Sequence, residues 1–223
     1  MIDDSKYVIR RATFNDIDFL VTTIVEAEKS STNNLGLANL FGVTEEELRK
    51  YLKAILEEEV DGCELSISSF IVAEYQGTTV SAKGGWLEGN NEDRQPSAVL
   101  KSNLFSFHFP MEKILNAKNK WEIIKDIQIE REWGTYQWEY AYTVPDHRGN
   151  HLVPRINERH IQQAKELGAK KIQGHVFANN EKSLRAYMRS GFNVVRSFTS
   201  SNPLTKVYYP DDTILLLEKE LSI

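Results

Sequence analysis

Cysteine is almost missing from this sequence: Cys63 is the single thiol in 223 residues. One cysteine excludes an internal disulfide and fits a reducing compartment, so a cytoplasmic protein is expected. No His or Asn motif stands near it to activate a nucleophile, and an inert, buried thiol is the simpler reading. Long apolar runs are also missing. None approaches the ~20 residues that a membrane-spanning helix needs. The first residues, Met1 to Lys6, have neither the basic start nor the apolar core of a signal peptide, so none is expected. Excess positive charge is absent too, and a net charge of −5 argues against a nucleic-acid partner. The histidines His108, His147, His151, His160 and His175 show no ligand spacing, so no metal is expected. Internal repeats and low-complexity tracts are lacking.

What is present is ordinary for a soluble globular chain: 41% hydrophobic and 26% charged residues, enough for a substantial core. The charge is unevenly spread. Residues 144–200 carry a net +6, leaving −11 to the rest, and a basic segment of this kind attracts an anionic ligand.

Periodicity orders the chain. Lys6 to Ala12 alternates as a strand, and Thr13 with Asp16 caps a helix striped by Ile17, Leu20, Val21, Ile24 and Val25. Residues 30–42 read as an ordered surface loop. Thr44 and Glu47 form a capping box for a helix with Leu48, Tyr51, Leu52 and Ile55 on one face. Phe70–Tyr75 and Thr78–Trp86 make a hairpin about Gln76-Gly77, with Gly84-Gly85 marking a bulge or a close approach. In the insertion of about 87–135, Pro96-Ser97 opens a helix with Val99, Leu100, Leu104 and Phe107 on one side. A second helix begins at Pro110, and Trp121–Arg131 fits helix and strand equally. Val194–Thr199 and Ile214–Leu217 close the chain as strands.

The stretch from Tyr136 to Phe192 organises the rest. Trp138–Val144 is rich in aromatic and β-branched residues and reads as a buried strand, with Glu139, Ala141 and Thr143 on one face and Trp138, Tyr140 and Tyr142 on the other. Pro145 ends it, and a polar loop leads to an amphipathic helix striped at 153, 156, 160, 164 and 167, closed by Gly168. A loop feeding a helix N-terminus leaves unpaired N–H groups, a ready site for phosphate. A short strand, Lys171–Val176, and a further helix from Asn180 complete the unit.

These residues resemble the GNAT acyl-CoA-dependent N-acetyltransferases. Val144-Pro145 precedes Arg148, the first position of that family's Arg/Gln-x-x-Gly-x-Gly/Ala loop; His151 and Val153 hold the two small positions, and Gly149 comes before both, next to Arg148. Asn180, Ser183, Tyr187 and Gly191-Phe192 match the later signature at every spacing. The resemblance covers about residues 136–200. It implies an α/β fold with a mixed, mostly antiparallel sheet of six or seven strands and helices on both faces, in a single domain over residues 1–223. It implies acetyl-CoA as co-substrate and transfer to a primary amine, on a small molecule or a peptide, directly in a ternary complex. Cofactor contacts are then expected from Tyr142, Thr143, Val144, Arg148, Gly149, Asn150, His151, Leu152, Val153, Asn180, Ser183 and Tyr187. Tyr187 would protonate the departing thiolate, and Glu139, the acid inside the central strand, is the candidate base. Two rivals stay open: a non-catalytic CoA-binding sensor or interaction module, and a longer acyl donor. A monomer or homodimer fits equally.

Overall fold

Seven strands build one sheet in the computed structural model, which describes residues 6–30 and 32–222; the leader reading of residues 1–5 lies outside them. The strands are β1 (Tyr7–Arg11), β2 (Phe70–Tyr75), β3 (Thr78–Leu87), β4 (Tyr136–Thr143), β5 (Lys171–Phe177), β6 (Asn193–Thr199) and β7 (Thr213–Glu220), in the order β1-β2-β3-β4-β5-β7-β6. All neighbours are antiparallel except β4 and β5. Gln76 and Gly77 both take positive φ, 50° and 80°, the geometry that a two-residue hairpin needs to match strand twist.

Helices cover both faces, as expected. On one lie α1 (Ile17–Glu28) and α3 (Glu45–Glu57). All five apolar stripe residues of α1 are buried, and so are Leu48, Leu52 and Ile55 of α3. Thr44 Oγ1 accepts from the Glu47 N–H at 3.2 Å while the Glu47 carboxylate accepts from the Thr44 N–H at 2.8 Å, satisfying two of the helix's orphan donors. On the other face α7 (Leu152–Glu166) and α8 (Glu181–Arg189) share a core with Tyr136, Trp138, Ile172 and Leu217. No helix among the described residues is long and apolar enough to cross a membrane.

Three local readings change. Residues 30–42 are not only loop: Gly36–Phe41 forms α2, with Leu37, Leu40 and Phe41 buried. Six residues do not hold a helix alone. Here Phe41 packs on Phe105 and Phe109, with ring centroids 5.0 and 4.4 Å apart, a partner 64 residues away in sequence that periodicity does not reveal. The same aromatic cluster rotates α4 (Ser97–His108). Leu104 and Phe105 face inward, whereas Phe107 is 78% exposed and Val99 43%. In α7 the inward residues are Leu152, Ile156, Asn157, His160 and Ala164; Val153 is half-buried and Leu167 is 40% exposed. After α5 (Met111–Asn119), residues 121–124 form α6 and Lys125–Ile127 a 3₁₀ turn, with no strand before β4. A short α9 (Thr205–Tyr208) was not foreseen.

Candidate active site

The parallel pair at the sheet centre is incomplete. β4 and β5 pair only through Tyr136–Trp138 and Ile172–Gly174, and beyond those residues the two strands part. Past Trp138 β4 is bonded on its β3 side, and past Gly174 β5 is bonded on its β7 side. The facing edges therefore make no strand-to-strand bonds with each other beyond that point. The opening is a cleft of about 1470 Å³, bounded by α1, the loop before α7, and α8. Ordinary small-molecule pockets run about 300–1,000 Å³, so this one has room for two reactants.

A bulge lies at the fork. The β3–β4 register slips between Lys83 and Gly84, and Tyr140 takes φ 45°. A bulge sends two consecutive side chains to one side, which corrects the simple alternation expected for this strand. Glu139, Tyr140 and Tyr142 face α1: the Tyr140 hydroxyl donates to Glu28 Oε1 at 3.0 Å, and Tyr142 lies 6.2 Å from Phe19. Trp138 and Thr143 face the α7 side, Trp138 against Tyr187 and His160, Thr143 at 2.7 Å from Ser81 Oγ.

The α1 side of the cleft is charged. Glu139 meets Arg131 at 2.5 Å and His175 at 3.4 Å, and Arg131 and Lys101 both reach the fully buried Glu64 at 3.1 and 2.8 Å. Burial pushes the Glu139 carboxyl upward, but Arg131 and His175 outweigh it and hold it well below the usual carboxylate range. Glu28 differs. Burial dominates there and raises its pKa, and its bonded neighbour is the Tyr140 hydroxyl.

The α7 side is apolar and aromatic. Tyr187 lies 6.3 Å from Trp138 and 5.0 Å from Phe192, ring to ring, and burial raises its pKa so that the phenol stays protonated. Gly174 makes this possible: a Cβ there would meet Tyr187 Cε1 at 2.6 Å. Between Trp138 and Tyr187 stands Lys83, 4% exposed. Its Nζ lies 3.5 Å from the Trp138 ring centre, 5.2 Å from that of Tyr187, and donates to Asn157 Oδ1 at 2.8 Å. Burial alone pushes its pKa well below the ordinary lysine value. His160 ties the layer together. Its Nε2–H donates to the Lys83 carbonyl at 3.0 Å, so Nδ1 must accept from the Tyr136 hydroxyl at 2.8 Å. Gly85 leaves space for both rings, since a Cβ would meet each at 2.8 Å.

At the far end of the cleft Thr143, Arg148, Gly149, His151, Leu152 and Val153 line the approach to α7. Gly149 (φ 82°) has nothing within 4 Å of where a Cβ would be, and His151 (φ 53°) turns the chain into the helix. Arg148 Nε donates to the Thr143 carbonyl at 3.0 Å. Asn180 caps α8, accepting from the Ser183 N–H at 3.1 Å, and its amide donates to Ser30 Oγ at 2.7 Å.

The model of the acetyltransferase (GNAT) family matches residues 114–192, the segment holding the fork, the loop and Tyr187. That segment is about a third of the chain, and over it the chain is similar to the GNAT acetyltransferases. Solved structures share its fold. An N-acetyltransferase from Staphylococcus aureus Mu50 superposes with a TM-score of 0.68 at 12% identity, covering 95% of this chain and 100% of the other. An acetyltransferase from Salmonella typhimurium, yncA, solved with its cofactor acetyl-CoA, gives 0.54 at 13%, covering 97% and 95%. A Drosophila melanogaster polyamine N-acetyltransferase that forms N-acetylagmatine gives 0.56 at 13%, covering 96% and 100%. At these identities the likeness establishes the fold. No curated protein sequence matches the chain.

Within this GNAT fold Glu139, Tyr142, Thr143, Arg148, Gly149, His151, Leu152, Val153, Asn180, Ser183 and Tyr187 all line one cleft. Val144 packs with Leu152 and Ile156 instead, and Asn150 is buried with its amide on the His147 carbonyl at 3.1 Å. Lys83, Glu28, Arg131 and His175 join the cleft without having been singled out from sequence. For Lys83 a signal existed: a lysine amid Ala82, Gly84 and Gly85 in a strand otherwise fit for burial.

Proposed function

We propose that this protein transfers an acetyl group from acetyl-CoA to a primary amine, directly, with both reactants bound in the cleft. The forked β4–β5 pair with Tyr187 on its flank carries the reading. The residues fit such a donor. The split strands leave facing edges for an amide-bearing arm, and the first-turn N–H groups of α7 suit a pyrophosphate. Gly149 leaves that approach open, and Arg148, already anchored through Nε, turns its remaining guanidinium donors to phosphate. Tyr142, Thr143, His151, Leu152 and Val153 frame this path, with Val144 and Asn150 packed behind them, and Asn180 and Ser183 flank the arm from α8. When bound, acetyl-CoA supplies an activated acyl group on a thioester.

This chain's residues then manage protons and position. Tyr187, held protonated, gives its proton to the departing thiolate. The incoming amine arrives charged and must lose a proton before it attacks. Glu28 suits that task better than Glu139, because burial strengthens its hold on a proton while Arg131 and His175 weaken that of Glu139. Glu139 serves as the anchor that keeps Arg131 and His175 at the fork. Glu26 and Glu28 line the α1 wall and favour a cationic acceptor. The Drosophila neighbour that forms N-acetylagmatine accords with such a substrate.

The test is release of CoA thiol from acetyl-CoA across a panel of amines. Amine-dependent release, strongest with cationic primary amines, is expected. A raised melting temperature with acetyl-CoA but no release with any amine would favour a non-catalytic binding module instead.

A further inference from the structure

Lys83 serves no role in the transfer just described, yet it has the marks of an acyl acceptor. Its amine is internal to the cleft wall, on the same side as Tyr187. Resting on that reading of the cleft, we propose that Lys83 is itself acetylated by the bound acyl donor, making this strand residue a self-modification site.

Three observations carry the proposal. A nucleophilic amine must be uncharged, and most lysines stay charged because water and carboxylates stabilise the ammonium. No carboxylate pairs with Lys83 among the described residues. Its surroundings are the Trp138 ring, the Tyr187 ring and the Asn157 carboxamide oxygen. The titratable groups facing it are His160 on α7, whose proton is committed to the Lys83 carbonyl, Tyr187 on α8, and Tyr136 on β4, bonded to His160. None is an acid that would hold the ammonium. The second observation is reach: Nζ lies 5.2 Å from the ring whose hydroxyl is assigned to the leaving sulfur, so the acetyl carbon attached to that sulfur falls within the range of the side chain. The third is that the product fits. An acetylated Nζ keeps one N–H, enough to maintain the bond to Asn157 Oδ1.

The step balances. The Nζ lone pair forms a bond to the acetyl carbonyl carbon, and the C–S bond breaks with its electrons on sulfur. Tyr187 passes its phenolic proton to that thiolate, and the proton shed by nitrogen returns to Tyr187.

The experiment uses the parent protein with isotope-labelled acetyl-CoA and no amine, followed by peptide mapping of every lysine at pH 6, 7 and 8. Label at Lys83 is expected first, falling less steeply with pH than at exposed lysines. Exposed lysines, with pKa about 10.4, should react about tenfold less per unit of falling pH. Lys83→Arg should remove the early label and leave the slow background. If acetyl-CoA raises the melting temperature and Lys83 stays unlabelled, the inference falls and the proposed function stands. Label at Lys83 no faster than at exposed lysines, with the same pH dependence, would also overturn it as mere chemical acetylation. Absence of any melting shift would remove the acyl-donor reading itself and this proposal with it.

Discussion

Tyr187 and Glu28 are separated by β4, one on each face, and the acid and base roles proposed for them separate in the same way. Tyr187→Phe keeps the ring against Trp138 and Phe192 and deletes only the acid, so turnover should fall roughly 10²–10³-fold with CoA affinity nearly unchanged. Stopped turnover assays and a binding titration on one sample check this, and a parent-like rate with chemistry limiting would remove the acid role. Glu28→Gln preserves an acceptor for the Tyr140 hydroxyl at 3.0 Å but cannot take a proton. Its kcat/KM for amines should drop about 10²–10⁴-fold and lose the acid-side fall of its pH profile. An unchanged profile would return the task to Glu139 or to water. At this scale Gly174 is also decisive, since any side chain there would displace the Tyr187 ring.

Among the elements, the loop from β4 into α7 is the one proposed to hold the anionic end of the donor. Its fold is set locally. Pro145 begins a 3₁₀ turn, Gly149 and His151 adopt positive φ, and Asn150 braces the turn through the His147 carbonyl. Arg148 contributes through charge and its single bond to Thr143. Arg148→Ala should weaken CoA binding severalfold while leaving binding of pantetheine, which lacks the pyrophosphate, nearly unchanged. Calorimetric titration of both ligands decides it, and equal losses would make the residue a strut for the turn. The bulge at Tyr140 is the other element with consequences. It sends Glu139 and Tyr140 to the same face and so gathers the charged wall that simple alternation would have divided.

For the whole molecule, two buried groups each contribute a loss of stability in acid. Burial lowers the His160 pKa from 6.5 to about 3, because an imidazolium there would lose its hydration with no carboxylate beside it. The unfolded chain binds that proton readily and the folded chain does not, so the His160 contribution is full above pH 6.5 and declines as pH falls toward 3. The loss amounts to about 2 kcal/mol at pH 5. Asp16 adds a later loss. Burial would raise its pKa, but Arg10, Thr79 and Thr13 bring it from 3.8 down to about 2. Its contribution is therefore complete above 3.8 and disappears between 3.8 and 2. Urea unfolding at pH 7 and pH 5 should show the first loss, and His160→Gln should flatten it; a parent curve flat over that interval would contradict the assignment.

How much of this was legible in residues alone depends on the range of the cause. The β4–loop–α7 unit, the capping box at Thr44, the Gln76-Gly77 hairpin and the Asn180–Phe192 signature all act over a few residues, through dihedral preference, capping and periodicity. The sequence determined those by itself, and with them the fold class and the Tyr187 and Arg148 ends of the cleft. What it did not determine depends on partners far along the chain. Helix α2 needs Phe105 and Phe109 to cover Phe41, and the inward face of α4 is chosen by the same cluster. The fork between β4 and β5 needs a register slip against β3, which flips side chains past Glu139 without any mark in the strand's own pattern. Lys83, 74 residues from Asn157, has its pKa pushed down only because the tertiary structure closes Trp138 and Tyr187 around it and buries it.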